Sequence, residues 1–352
     1  MRKLKKWIAT VVLVWATCQI TLAQTWNGSV SGVYTNSNNW TPNTVPDTTT
    51  STATFDTAPI TTVTNVTNIK VGEFNFSSGG DAYTINVTGL QFSGSGIVNQ
   101  SGQVQTISNT GDLEFDNSSS AGAEVAIGVS AAGTLAFQNS STADAAHISL
   151  TGGSTALFNS TSTADSAVIT VNSDSTIRFN SSATAGTSKL QVTGAGSAIV
   201  FNNTSNAQSA TIKNISGGAL TFNDSSDAGT ATITTAAGGV TTFNTSATAD
   251  GATITVEGVA SKVIFNDGTT AANSSISAEA GGTITFNDTS TAASATLSSD
   301  IASAIVFNDT NTAATSTIIN NGHLTFNNNS TAGSSTITNT GMVTFNETSD
   351  GG

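Results

Sequence analysis

Cysteine and charged side chains are scarce in this chain, and each scarcity excludes a class of function. The 352 residues include a single cysteine, Cys18, so the chain cannot form an internal disulfide or a thiolate cluster for a metal. Four of the nine basic residues lie among the first six positions, so five basic and 22 acidic residues remain beyond them, a formal balance of −17. This balance excludes nucleic acid and anionic membrane surfaces as partners, because both require clustered Lys and Arg.

The N-terminus has the pattern of a secretory signal peptide. The basic stretch MRKLKK is followed by the apolar run WIATVVLVWATCQITLA, and Thr21 and Ala23 provide the small residues expected before a cleavage site at Gln24. We therefore predict a signal peptide over residues 1–23 and an exported bacterial protein. Two alternatives stay open: an uncleaved membrane anchor, for which the apolar run is short, and a lipoprotein modified at Cys18, which lacks the small residue such a site needs before it.

A repeat with a period of 19–22 residues extends to the C-terminus. An alanine lies six residues after each of the repeating phenylalanines but the last, and an isoleucine or leucine lies eleven residues after most of them. Such a steady period indicates a repeat architecture and argues against disorder. The phenylalanines are Phe115, Phe137, Phe158, Phe179, Phe201, Phe222, Phe243, Phe265, Phe286, Phe307, Phe326 and Phe345.

Each repeat contains two stretches in which apolar and polar residues alternate. In TITF, Ile284 and Phe286 point to one side and Thr283 and Thr285 to the other, which is typical of a strand. The second stretch surrounds the aliphatic residue, and glycine pairs mark a corner of variable length. We therefore predict an all-β fold: a single-stranded, right-handed parallel β-helix (β-solenoid) of about 12 coils of 19–22 residues with an N-terminal cap.

The composition before the regular repeats predicts the cap. All three prolines of the chain, its two tyrosines and the two tryptophans that follow the signal peptide lie between residues 25 and 105. A repeat protein needs such an atypical segment to cover the apolar end of its stack. We assign residues 24–59 to the cap, 60–112 to irregular solenoid coils and 113–352 to regular repeats, of which the last coil is incomplete.

An asparagine follows the phenylalanine in most repeats, and we interpret this column as a structural ladder. Asparagine tolerates the left-handed backbone of a bend, and amides stacked on successive coils can hydrogen-bond to one another along the axis. A ligand-binding role is the alternative. The ladder comprises Asn159, Asn180, Asn202, Asn223, Asn244, Asn266, Asn287, Asn308, Asn327 and Asn346.

Three aspartates, each two residues after a phenylalanine, form a candidate Ca²⁺ site. Asp267, Asp288 and Asp309 occupy equivalent places in neighbouring coils, where stacked like charges repel unless a cation binds between them. The favoured alternative is that the carboxylates extend into water, because the sequence lacks the glycine- and aspartate-rich nonapeptide of calcium-binding solenoids. We predict no cofactor.

No group of residues meets the requirements of a catalytic site, so we predict that the protein is not an enzyme. General acid–base chemistry needs titratable groups within hydrogen-bond reach of one substrate. His147 and His323 would lie roughly 40 Å apart at the strand spacing of a solenoid. The alternative is a polysaccharide lyase or hydrolase that uses Arg178, Lys189 and Asp174, which are close in coil number.

An ice-binding solenoid is another alternative. Threonine and serine flank the aliphatic residue on the outward side of the second strand, as in Thr232 with Thr234 and Thr253 with Thr255. A flat hydroxyl and methyl array of this kind resembles the Thr-x-Thr face of ice-binding solenoids, although threonine also suits any solvated strand. The array is interrupted by Lys189, Gln191, Lys213 and Ile319.

The segment WNGSVSGVYTNSNNWTPNTVPDTTTSTATF resembles the start of bacterial autotransporter-type passenger proteins, in the autotransporter-associated β-strand repeat family. The stretches GGDAYTI, GSGIVNQSGQVQTI and the TFNDTSTA repeats are also similar to that group. The residues in matching places are Trp26, Gly28, Asn39, Trp40, Pro46, Asp47 and Phe55. The chain departs from the family because no series of membrane-spanning strands follows the repeats.

The resemblance implies a secreted β-helix displayed at, or released from, a bacterial outer membrane. We therefore predict a structural, adhesin-like stalk without catalysis. Its partner would be a surface or matrix ligand, either a glycan or a protein, and not a nucleic acid. The resemblance also implies an outer-membrane translocator, which we expect in a C-terminal part missing from this chain.

Overall fold

A computed structural model describes residues 23–352 and confirms the predicted all-β solenoid. Its strands form one sheet of 29 strands that winds through about 14 turns. The predicted signal peptide lies outside the described residues, apart from residue 23. Among residues 23–352, no helix has the length and apolar character needed to cross a bilayer.

The first elements vary widely in length, and the strands have a regular length only from β8 onward. They are β1 (Gln24–Trp26), the 3-10 helix η1 (Ser37–Asn39), β2 (Trp40–Thr41), β3 (Thr52–Phe55), β4 (Thr62–Val66), β5 (Ile69–Phe76), β6 (Thr84–Asn99) and β7 (Gln105–Phe115).

The regular coils contain two kinds of strand that alternate along the chain. The aliphatic strands are β8 (Val125–Val129), β10 (His147–Leu150), β12 (Val168–Val171), β14 (Lys189–Thr193), β16 (Thr211–Ile215), β18 (Thr232–Ala236), β20 (Thr253–Glu257), β22 (Ser275–Glu279), β24 (Thr296–Ser299), β26 (Thr317–Asn320) and β28 (Thr336–Asn339). The phenylalanine strands are β9 (Thr134–Phe137), β11 (Thr155–Phe158), β13 (Thr176–Phe179), β15 (Ala198–Phe201), β17 (Ala219–Phe222), β19 (Val240–Phe243), β21 (Lys262–Phe265), β23 (Thr283–Phe286), β25 (Ala304–Phe307), β27 (His323–Phe326) and β29 (Met342–Phe345).

Each strand pairs in parallel with the strand of the same kind in the next coil. On one side Phe243 pairs with Phe265, and on the other Ile233 pairs with Ile254. Register shifts occur only in the pairings of β4 to β7 among the described strands. Because a shift of one residue would turn the apolar side chains outward, the constant register keeps both apolar columns inside.

The phenylalanine column is a continuous stack of rings that is buried in the core except for the last ring, Phe345, which is 43% exposed. From Phe92 to Phe345, successive ring centroids lie 4.6–5.0 Å apart and the ring planes differ by only 4–19°. This centroid spacing matches the roughly 4.8 Å between adjacent strands. The backbone register therefore sets the ring stacking.

A third contact between coils completes the cross-section, in addition to the two predicted strands. The residue five positions after each phenylalanine forms a single parallel bridge to its equivalent in the next coil, as Thr163 does with Thr184. The alanine that follows, such as Ala164, is fully buried beneath this bridge. Alanine recurs there because the narrow corner admits only a small side chain.

The variable corner depends on glycine at close approaches between coils. Gly238 has a φ of 81°, a left-handed conformation that glycine adopts without strain. A β-carbon on Gly239 would lie 2.5 Å from the carbonyl oxygen of Asn214 in the preceding coil. The glycine pairs therefore let this corner turn without pushing the coils apart.

An aromatic cluster closes the N-terminal end of the solenoid. Trp26 lies edge-on to Trp40 with ring centroids 5.1 Å apart, and Tyr34 lies edge-on to Trp40 at 4.9 Å. Their polar atoms are satisfied internally: the Tyr34 hydroxyl donates to the carbonyl oxygen of Pro46 at 2.8 Å, and the Trp40 indole nitrogen donates to that of Tyr34 at 2.7 Å. The two-residue strand β2 runs antiparallel along β1 and covers its edge.

The number of turns differs slightly from the prediction of about 12. The regular period in the sequence begins at Phe115, whereas β3, β5 and β6 already stack in the same way, with Phe55 opposite Phe76 and Phe92 opposite Phe115. Bulges and the long strand β6 hide this part of the period in the sequence.

Candidate functional site

The asparagine column forms an unbroken ladder of side-chain hydrogen bonds along the axis. In each coil the Nδ2 group donates to the side-chain carbonyl oxygen of the preceding coil, beginning with Asn159 on Gln138, at 2.8–3.2 Å. All the bonds point the same way, so each amide is polarised by its neighbours. Apart from the exposed Asn346, the ladder lies half-buried beside the phenylalanine stack, and its hydrogen bonds occupy the amide groups that a ligand would need.

The left-handed bend lies one residue later than the sequence suggested. The ladder asparagines, such as Asn244 and Asn287, are not among the residues with positive φ, whereas the next residues, Thr245 and Asp288, have φ values of 64° and 56°. The expectation that the ladder asparagine itself adopts the left-handed conformation was therefore wrong. The ladder asparagine instead continues the pairing between coils, because its backbone N–H still donates to the preceding coil, as that of Asn244 does to the carbonyl oxygen of Phe222.

The three aspartates of the candidate Ca²⁺ site occupy these left-handed positions and form a second ladder. The carboxylate of Asp267 accepts the backbone N–H of Thr245 at 2.9 Å, that of Asp288 accepts the N–H of Asp267 at 3.0 Å, and that of Asp309 accepts the N–H of Asp288 at 3.0 Å. One oxygen of each carboxylate thus binds the coil below, and the side chains remain exposed. Nowhere in residues 23–352 do three His, Cys, Asp or Glu side chains converge in a way suited to a metal ion.

Aspartate replaces threonine at two places in the column of single-residue bridges, Asp227 and Asp350. In most coils that have threonine here, the threonine hydroxyl accepts the backbone N–H two residues later, as Thr248 does from Asp250 at 3.0 Å. Asp227 accepts the N–H of Gly229 at 2.5 Å with its carboxylate. Burial raises the pKa of Asp227, the hydrogen bond from Gly229 opposes this shift, and the negative charge of Asp250 adds to it.

The residues of the alternative catalytic site do not meet. Arg178 projects from the phenylalanine strand β13 and Lys189 from the aliphatic strand β14, so they lie on different faces of the solenoid. Asp174 lies in the variable corner at a φ of 61°. His147 and His323 are both exposed and lie on an aliphatic and a phenylalanine strand, respectively.

The outward threonines of the aliphatic strands form two columns in register. Thr232, Thr253 and Ser275 face one another in the first column, and Thr234, Thr255 and Ser277 in the second. The first column is exposed and the second is half-buried. The surface is therefore a flat array of hydroxyl and methyl groups with the spacing of the strands.

Neither the models of known protein families, nor the sequences of curated proteins, nor the solved structures provide a match to this chain.

Proposed function

We propose that this protein is a surface-displayed or secreted stalk of the autotransporter-passenger kind, with an adhesin-like role and no catalytic activity. The observation that carries the proposal is the constant parallel register from β8 to β29, in which every coil is bonded to the next along both strands. About 14 turns at roughly 4.8 Å each give a rod about 65–70 Å long. Such a rod holds whatever lies at its end at a fixed distance.

The N-terminal sequence pattern and the resemblance to passenger proteins support export. In the regular repeats, most acidic side chains lie at the corners between strands. Their negative charge makes neighbouring molecules repel one another, which favours solubility of an otherwise weakly charged surface. The stalk would engage a glycan or protein of a surface or matrix, and an outer-membrane translocator would display it.

Export is tested with an epitope inserted beside Val259, which is 82% exposed at the variable corner. The tagged chain is expressed in a Gram-negative host, and the tag is assayed in intact cells, periplasm, medium and cytoplasm. We expect the tag outside the cytoplasm, and a matched chain lacking residues 1–23 should retain it inside. Equal distribution of both chains would contradict the proposal.

The absence of catalysis is part of the proposal. The outward positions of the strands carry mainly Thr, Ser, Ala and Val, which offer no group that titrates near neutral pH. We expect no cleavage of pectic, alginate or cell-wall polysaccharides, with or without Ca²⁺. Turnover that is lost on mutating Arg178, Lys189 or Asp174 would instead support a polysaccharide lyase.

Ice binding is the second candidate, and the in-register threonine columns are the observation that favours it. A rigid array of hydroxyl and methyl groups can order water in a regular pattern on its surface. Thermal hysteresis of the purified protein, lost when Thr232 and Thr253 are replaced by lysine, would establish this function in place of the stalk.

A further inference from the structure

A shallow groove interrupts the threonine array on the aliphatic face. Its first part has a volume of about 370 Å³, within the range of roughly 300–1,000 Å³ typical of small-molecule sites. The side chains at its surface are Val168, Thr170, Lys189, Gln191, Thr211 and Lys213. An adjoining depression shares Val168 and Thr170 and continues past His147 on β10 to Gly128 on β8. The two together form an elongated groove along the axis, open to solvent.

The groove carries positive charge in an otherwise acidic protein. Lys189 pairs across strands with Thr211, and Gln191 pairs with Lys213, so the two lysines sit on adjacent strands two residues apart. At strand spacings of about 4.8 Å and 3.3 Å per residue, their α-carbons lie about 8 Å apart. Both ammonium groups can therefore reach one ligand.

Within residues 23–352, no acidic residue lies beside these lysines on the same face. The aliphatic strands β8, β10, β12, β14, β16 and β18 contain no Asp or Glu. The acidic residues of these coils, such as Asp165 and Asp174, lie in the corners, where both have positive φ. The groove therefore favours an anion, while the acidic corners repel a large polyanion that would wrap around the rod.

The uncharged lining matches a sugar. The hydroxyls of Thr170 and Thr211 and the amide of Gln191 can donate to and accept from sugar hydroxyls, and Val168 offers an apolar contact to the C–H groups of a pyranose ring. We propose that this groove binds an acidic polysaccharide of the uronate class, with Lys189 and Lys213 contacting its carboxylates. The inference rests on the adhesin part of the proposed function and specifies the chemistry of its ligand.

The test is calorimetric titration of the purified protein with an oligogalacturonate, with a neutral maltooligosaccharide of equal length as the comparison ligand. The double variant Lys189→Gln/Lys213→Gln should bind oligogalacturonate about tenfold more weakly, because it loses two exposed charge contacts of modest strength. The double variant Arg178→Gln/Lys262→Gln is the matched control, since it removes the same charge from exposed positions on the phenylalanine strands.

The dissociation constant of the control variant for oligogalacturonate should stay within about twofold of that of the unmodified protein. A tenfold change would correspond to about 1.4 kcal/mol in binding free energy, so the two variants can be told apart. Equal weakening by both double variants would show only general electrostatic attraction and overturn the proposal. The proposal would also be overturned if the neutral oligosaccharide or polyglutamate bound as tightly as oligogalacturonate. Failure of the unmodified protein to bind oligogalacturonate would overturn it as well. Because the titration uses purified protein, its failure leaves the export test unaffected.

Discussion

Replacing Phe243 by aspartate is expected to open the solenoid in the middle of its phenylalanine stack. The Phe243 ring is fully buried between Phe222 at 4.8 Å and Phe265 at 4.7 Å. Truncating a buried phenylalanine costs about 3–5 kcal/mol, and each stacked pair contributes up to about 0.5–1.5 kcal/mol beyond burial. A carboxylate without a partner adds several kcal/mol more, so the loss is comparable to a typical total stability of about 5–15 kcal/mol.

The assay combines thermal unfolding followed by circular dichroism with hydrogen exchange. Because each coil contacts only its neighbours, we expect faster exchange in β17 and β21 first, and separate unfolding of the two halves of the rod. Burial raises the pKa of the introduced carboxyl, so protonation at low pH should restore part of the stability. Thr242→Asp, which places the same charge on the outward side of β19, is the control. An unchanged unfolding midpoint for Phe243→Asp, or an equal effect of the control, would refute an interior phenylalanine column.

Three further outcomes are expected. Asn244→Ala should cost about 1–3 kcal/mol in unfolding free energy, because it leaves the amides on both sides without a partner; urea unfolding measures this. Burial raises the pKa of Asp227 above its ordinary value of 3.8, so the folded protein binds this proton more tightly and loses stability as the pH rises past that value. Asp227→Asn carries no such charge, so its stability relative to the unmodified protein should increase as the pH rises through this range; thermal midpoints measured across pH test the trend. Thr234→Lys with Thr255→Lys should leave the unfolding midpoint nearly unchanged, because both positions face outward.

The sequence determined the repeat, the strands and the two apolar columns. Apolar residues such as Ile284 and Phe286 alternate with polar ones along a strand, and this strand pattern returns every 19–22 residues. A stack of parallel coils buries these apolar residues at each turn. The cap was also evident, because Trp26, Trp40 and Tyr34 have no equivalents in the regular repeats. These features depend on local pattern and composition, which a single sequence contains in full.

Tertiary structure alone decided how neighbouring coils share their hydrogen bonds. Asn287 and Asp288 are residue types that both suit a bend, so their identity does not tell which of them makes which contact. In the fold, Asn287 joins the amide ladder, whereas Asp288 adopts the left-handed conformation and its carboxylate accepts a backbone N–H. The groove likewise depends on register, since only the pairing of Gln191 with Lys213 places that lysine diagonally beside Lys189. Residues about 21 positions apart in the sequence come into contact because the coils stack. The geometry of the coil sets which residues meet, and no local preference of the chain does so.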